Sequence, residues 1–241
     1  MRIDKMLAHM GYGTRKEVRQ LIKGKQVKVN GKITTKQGSH VDPETDEVTV
    51  SGELVEYVEF VYLLLNKPAN YITATYDHHD LTVIDLVPFE YSHYDLAPVG
   101  RLDKDTEGLI LLTNDGQVNH LLTSPKNDIW KTYEAEVSGE VTAAHIEEFS
   151  QGITLDDGYK TKAAQLEIIT SSATVSTIRL SITEGKFHQV KRMFRAIGME
   201  VVYLKRTHIG ELQLDSSLDI GEIRQVNENE MQWIDNIKEG E

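Results

Sequence analysis

The sequence predicts an α+β protein in two parts, a small basic α/β module followed by a larger domain of strands and helices. Three observations predict it. Charge is divided unevenly: residues 1–40 hold ten Lys and Arg against two acids, a net of +8, so an overall net charge of −12 leaves −20 on the other 201 residues. Two helical patterns and then short β patterns fill residues 1–50. A continuous apolar run, Phe60-Val61-Tyr62-Leu63-Leu64-Leu65, then marks a change of composition. The expected division is residues 1–57 as module and linker, and residues 58–241 as the second domain.

At 241 residues with 39% hydrophobic content, each part has enough apolar sequence for a core. The absence of cysteine excludes disulfides, thiolate-bound zinc and a Cys nucleophile. The start, Met1-Arg2-Ile3-Asp4-Lys5, is too charged for a signal peptide, and no apolar run reaches membrane-spanning length. A soluble cytoplasmic protein is expected. A basic end on an acidic body suggests a nucleic-acid-binding module, the alternative being a solubilising patch.

Each element has a local cause. Ile3, Met6, Leu7 and Met10 fall at helical spacing, and Gly11-Tyr12-Gly13 ends that helix. Thr14-Arg15-Lys16-Glu17 is a capping-box pattern opening a second helix, which buries Val18, Leu21 and Ile22 and stops near Gly24. Arg15, Lys16, Arg19 and Lys23 lie off its apolar stripe and make one basic face. Val27-Lys28-Val29 is a strand, Asn30-Gly31 a hairpin turn into Ile33, and Val48-Thr49-Val50 a further strand after the Asp42–Asp46 turn. Residues 51–57, with Glu53 and Glu56, read as a linker.

In the second part the 60–65 run is a strand ended by Asn66-Lys67-Pro68. Tyr76-Asp77-His78-His79-Asp80 reads as a solvated loop; a metal site is the weaker alternative, because adjacent histidines lack a third spaced ligand. Gly100-Arg101-Leu102-Asp103-Lys104-Asp105-Thr106-Glu107-Gly108 is polar and turn-like, and it feeds a buried strand, Leu109 to Thr113, closed by Asn114-Asp115-Gly116. Three acids stand at the mouth of that strand, and Asp103 is the first candidate for a nucleophilic carboxylate. Val118, Leu121 and Leu122 suggest a short helix, and Trp130–Val137 alternates as a strand. Residues 142–151 read as a helix with Ile146 and Phe149 inward, and strands are expected around 164–170 and 175–183. Val190, Met193, Phe194 and Ile197 form the apolar face of another helix; His188, Lys191, Arg192 and Arg195 form a cationic stripe on its opposite side, capped by Gly198. No acid between Lys186 and Gly198 pairs with that stripe, which makes it a second candidate RNA contact; a solvated face is the alternative. Short β segments near 201–204 and 211–214 and a polar tail complete the chain.

Two sets of residues carry family resemblances. Arg2-Ile3-Asp4-Lys5, Thr14-Arg15, Leu21-Ile22, Gly24 and Val27-Lys28-Val29-Asn30-Gly31 resemble the S-four RNA-binding domain. That resemblance implies binding to structured RNA through Arg2, Lys5, Arg15, Lys16, Arg19 and Lys23, by phosphate contacts that position more than they specify. Gly100-Arg101-Leu102-Asp103, Lys131-Thr132-Tyr133 and Glu184-Gly185-Lys186-Phe187-His188-Gln189-Val190-Lys191-Arg192-Met193 resemble the pseudouridine synthases of the RsuA type. This implies a catalytic domain with a mixed, mostly antiparallel sheet flanked by helices. It implies isomerisation of a uridine in small-subunit ribosomal RNA, with no metal or cofactor. Large-subunit RNA, or a non-catalytic assembly factor, are the alternatives.

By the same resemblance Asp103 is the catalytic aspartate and Lys191 the cation paired with it. Tyr133 is the active-site tyrosine, a core tyrosine being its alternative. Arg101 holds the RNA open around an extruded base, or makes a salt bridge to Asp105 or Glu107. His188, Gln189, Arg192 and Arg195 contact RNA, and Leu204 and Ile209 wall the uracil pocket. The protein is expected to act as a monomer. The family usually has Gly where this chain has Asn70, and Asn is the non-Gly residue best able to keep a left-handed turn.

Overall fold

The computed structural model describes residues 1–240, in two units. The first comprises Met1–Val61 together with Pro88–Asp95; the second comprises Tyr62–Val87 and the residues from Leu96 onward.

In the first unit, α1 (Ile3–His9) and α2 (Arg15–Lys23) precede four short strands, β1 (Val27–Val29), β2 (Lys32–Ile33), β3 (Val48–Val50) and β4 (Glu53–Leu54). Ile3, Met6 and Leu7 of α1 and Val18 and Ile22 of α2 are fully buried against Val27 and Val48. The capping box closes as its pattern requires: Glu17 N–H donates to Thr14 Oγ1, and Thr14 N–H donates to Glu17 Oε2 at 2.7 Å. Asn30 and Gly31 take φ of 49° and 75°, the paired left-handed conformation of a hairpin turn whose twist matches its strands. The sheet order is β2-β1-β3-β4, all antiparallel. The expected 51–57 linker is therefore corrected: Ser51 and Gly52, both at positive φ, turn the chain so that β4 pairs with β3.

The second unit is a nine-stranded sheet. Its elements are β5 (Tyr62–Lys67), β6 (Ala97–Pro98), β7 (Glu107–Thr113), α3 (Gly116–Thr123), β8 (Lys131–Ser138), α4 (Ala143–Ser150), β9 (Gln165–Thr170), β10 (Val175–Ile182), α5 (Gln189–Ala196), β11 (Val201–Ile209), β12 (Leu212–Gln213), β13 (Ile223–Gln225) and α6 (Glu228–Glu239). The main path runs β13-β5-β7-β11-β8-β10-β9, with β6 beside β7 and β12 beside β11. Among the described residues only the β7–β11 strand pairing of this sheet is parallel, which makes the sheet mixed and mostly antiparallel. β5 and β7 are buried on both faces, as their unbroken apolar runs demand. Among the described residues, no helix is long and apolar enough to cross a membrane.

Three local expectations change. Ile146 points outward at 37% exposure, while Phe149 is fully buried against Phe194. The segment expected at 201–204 extends to Ile209. The polar tail contains α6, opened by an Asn227–Glu230 capping box and anchored by buried Ile234 with Met231, Trp233 and Ile237. Those apolar residues form a narrow stripe in a polar stretch, which composition alone obscures.

The parallel β7–β11 contact depends on Gly108. It sits at φ +101°, and a Cβ there would lie 2.2 Å from the Arg206 carbonyl oxygen. Gly158, at φ +82°, faces open space instead. Gly108→Ala is expected to lower stability by more than about 2 kcal/mol in urea denaturation, against about 1 kcal/mol for Gly158→Ala. Equal losses would show that the close approach to Arg206 carries no cost.

Candidate active site

The loop between β6 and β7 is tied down from one side. Lys67 ends β5 with its side chain turned into the protein, where Nζ donates to Thr106 O at 2.7 Å, Pro68 O at 3.0 Å and Lys104 O at 3.3 Å. Its relative exposure is 0%. Burial pushes its pKa down to about 8, opposed by the nearby Asp105, Glu107 and Asp103 carboxylates. Asn70 adopts φ 71°, the left-handed turn anticipated at that position, and its N–H donates to Lys104 O at 2.8 Å. Thr73 Oγ1 donates to Leu102 O and accepts from Leu102 N–H. These contacts fix residues 101–106 before any partner from the rest of the sheet is counted.

The loop faces a cavity of about 730 Å³ lined by Asp103, Arg101, Tyr133 of β8, Leu204 of β11, and His188 and Lys191 at the start of α5. Lys191 Nζ lies 3.2 Å from Asp103 Oδ2 and 2.6 Å from Asp105 Oδ1. Burial lowers the lysine's pKa, but hydrogen bonds to Asp105 and Asp103 outweigh it and leave the pKa raised. The same bond from Lys191 lowers the pKa of Asp105. His188 Nε2 stands 3.4 Å from Asp103 Oδ1. Tyr133 is 8% exposed and still lines the cavity. The cavity thus presents a carboxylate flanked by a committed cation, a phenol and an aliphatic wall.

The other residues singled out in the sequence divide. Arg101 is exposed at the cavity, and no ion pair to Asp105 or Glu107 forms among the described residues. Leu204 lines the cavity, but Ile209 does not: it lies beyond the β11 irregularity at Arg206/His208 and packs into the core with Leu212. The expected cationic stripe is broken up by distant acids. Lys191 turns to Asp103 and Asp105. Arg192 pairs with Asp156, and with Asp157 at 2.7 Å, so it is not an open phosphate contact. Arg195 stays exposed. Gln189 is 4% exposed and spends its amide inside the protein, accepting from Lys186 N–H and donating to Glu184 Oε1. In the first unit Lys5, Arg15, Lys16 and Lys23 are exposed, and Arg2 and Arg19, exposed as well, converge on the buried Asp4 carboxylate, at 2.7 and 3.5 Å. His78 and His79 sit in a loop whose Asp77 accepts from the His79 and Asp80 N–H groups.

Two buried cations escaped sequence reasoning. Lys67, at the end of the first apolar strand, and Arg206, beyond the segment expected at 201–204, carry no sequence signal of burial. Arg206 is 2% exposed; its Nε donates to Leu109 O at 2.9 Å, and among the described residues its Nη2 has no hydrogen-bond partner. It pairs across β11–β8 with Tyr133. Burial lowers its pKa, and the Tyr133 phenol opposes the shift. A guanidinium this deep without a carboxylate is costly.

Comparison with known proteins follows the same division of the chain. Residues 61–196 match the family described as RNA pseudouridylate synthase, and residues 1–48 match the S4 domain. The chain is 48% identical to the uncharacterized RNA pseudouridine synthase YtzG of Bacillus subtilis, over 96% of this chain and 97% of the relative. It is 40% identical to ribosomal large subunit pseudouridine synthase B of Bacillus subtilis, over 95% and 93%. It is 38% identical to ribosomal small subunit pseudouridine synthase A of Vibrio cholerae, over 96% and 98%. A crystal structure of a pseudouridylate synthase superposes with a TM-score of 0.68 at 36% identity, covering 97% of this chain and 99% of the other.

The Lys67 tether has a pH signature. Its folded pKa of about 8 lies below the ordinary 10.5, so between those values the unfolded chain binds a proton that the folded chain does not. Stability attributable to Lys67 therefore rises as pH climbs through that window. Lys67→Met removes this response. Urea denaturation at pH 7 and 9.5 is expected to shift the difference between the two proteins toward the wild type by about 2 kcal/mol. A difference independent of pH would contradict a Lys67 pKa depressed by burial.

Proposed function

This chain belongs to the RNA pseudouridylate synthase family and carries an S4 domain, and on that premise we propose that it isomerises a uridine of ribosomal RNA with Asp103 as the catalytic carboxylate. The observation that carries this reading is the meeting of Asp103, Lys191 and Tyr133 in one cavity, although they lie far apart in sequence. The reaction breaks the bond from C1′ to N1 of uracil, turns the base, joins C5 to C1′, and moves a proton from C5 to N1. It has no net redox change and loses no atom, so it calls for no cofactor.

A stacked uridine cannot reach Asp103, so the base is extruded into the cavity. An ionised carboxylate serves at each place it can act: bonding to C1′, bonding to the base, or removing a sugar proton. Lys191 Nζ, 3.2 Å from Asp103 Oδ2, is its countercharge. Tyr133 stacks on the uracil and its hydroxyl relays the C5 proton, beside Arg206 across the β8–β11 pairing. Leu204 walls the base. Arg101, exposed at the cavity, holds the RNA backbone or the space vacated by the base.

We assign the substrate to small-subunit RNA, supported by the relative from Vibrio cholerae and by the His188-to-Met193 run. The large-subunit relative from Bacillus subtilis supports a second reading of the same chemistry on the other RNA. The exposed cations of the first unit, Lys5, Arg15, Lys16 and Lys23, contribute affinity through phosphates. A cytoplasmic monomer goes with that substrate.

Chemical mapping of pseudouridine on small- and large-subunit ribosomal RNA incubated with the protein tests the reading. Asp103→Asn is expected to lose more than about 10³-fold in rate and Lys191→Met about 10²-fold. Product persisting with Asp103→Asn would remove the carboxylate role, and no product on either RNA would favour a binding factor. The Arg15→Gln, Lys16→Gln, Lys23→Gln triple variant is expected to weaken RNA binding and lower its salt slope by up to about 3, leaving the rate at saturating RNA unchanged. An unchanged slope would remove this face from the RNA contact.

A further inference from the structure

Next to the reacting groups stands an aromatic ring that the chemistry above does not use. Phe187 lines the cavity yet is 76% exposed. One face of its ring lies on the His188 imidazole, 3.8 Å between centroids and 19° between planes. With that face covered, its exposure is concentrated on the other.

The segment is held by a set of side-chain contacts. His188 begins α5 in the left-handed conformation, φ 49° and ψ 36°, which a residue with a Cβ holds only where its surroundings impose it. Those surroundings are visible. Gln189 N–H donates to Lys186 O, and Lys186 N–H donates back to Gln189 Oε1 at 2.8 Å. Gln189 Nε2 is held by Glu184, whose other oxygen accepts from the Tyr159 hydroxyl at 2.7 Å. Lys186 Nζ lies over the Tyr159 ring, 4.4 Å from its centroid. Arg192, clamped by Asp156 and Asp157, reaches the Phe187 carbonyl at 3.4 Å. A large apolar ring is thus displayed to solvent on a backbone braced by side-chain hydrogen bonds, with one face already filled.

We propose that Phe187 is a stacking platform for an unpaired RNA base, the nucleotide neighbouring the extruded uridine, and that His188 backs it. The proposal rests on the uridine-isomerase reading above. A nucleobase is the occupant that fits. It is flat, it needs only a π face, and it comes tethered to a phosphate that the exposed Arg101 of the same cavity can meet. The target uracil is a poorer match, because it must reach Asp103 between the buried Tyr133 and Leu204, whereas Phe187 stands exposed. Extrusion of one base leaves its neighbour with an uncovered face, and Phe187 covers it. His188 makes the platform part of the site, since the imidazole that supports Phe187 also points Nε2 at Asp103.

The test uses the full chain and ribosomal RNA that the wild type modifies. Phe187→Ala is expected to lower kcat/KM five- to a hundredfold, the range of one lost base stack, with the melting temperature unchanged because the ring is mostly exposed. Phe187→Trp is expected to restore kcat/KM, and its indole fluorescence to be quenched on binding that RNA. Phe187→Leu, apolar but without a π face, is expected to behave like Phe187→Ala. Equal kcat/KM for wild type and Phe187→Ala would overturn the proposal, as would full activity in Phe187→Leu. A wild type that makes no pseudouridine is a failure of the isomerase reading; the Phe187→Trp fluorescence then still decides, with quenching by single-stranded oligouridylate supporting the platform and no response rejecting it.

Discussion

A single buried ammonium underlies the geometry of the site. Lys67 caps the carbonyls of Lys104 and Thr106, on either side of Asp105 and just after Asp103. A loop of three acids and two bases in nine residues has no apolar reason to hold one shape. Here the shape is imposed from below, by Lys67, by the left-handed Asn70 turn and by the Thr73 hydroxyl. The lysine is itself held in the protonated form by the acids it supports. Loop conformation and loop charge are therefore one coupled arrangement.

That arrangement explains why Lys191 serves two carboxylates. Two acids this close repel each other, and a shared cation relieves both. The shorter contact goes to the exposed Asp105, which leaves Asp103 flanked by a charge yet not wholly consumed by it. Beneath the cavity the balance reverses. Arg206 lies buried without a carboxylate beside Tyr133, so the floor of the site is positive where a phenol lies. Gly108 permits this layering, because only a residue without a side chain lets β7 and β11 approach as they do around Arg206.

The charge asymmetry seen along the chain resolves into distinct uses. In the first unit the cations remain outward, and two of them, Arg2 and Arg19, also hold the buried Asp4 carboxylate. In the second unit Lys104, Lys191 and Arg192 are each matched by a carboxylate distant in sequence. Those carboxylates neutralise and aim the basic side chains they meet, while Arg101 and Arg195 stay exposed. A helix face counted as a stripe of positive charge overstates what it offers.

Local chemistry was legible in the sequence. The Thr14–Glu17 box, the Asn30-Gly31 turn, the β5 and β7 runs and the left-handed turn at Asn70 follow from short-range sterics and hydrogen bonding, and all stand in the structure. The Asp103, Tyr133 and Lys191 motifs were legible as well, because their residue order is specific. Long-range partners were not. That Arg192 is taken by Asp156 and Asp157, that Ile209 leaves the cavity for the core, that Lys67 and Arg206 are buried, and that the polar tail hides α6 were all decided by tertiary contact. The physical reason is that spacing along a chain sets backbone angles and the face a side chain takes. The strength and use of a charge depend on what surrounds it, and those surroundings come from strands that meet only in the folded sheet.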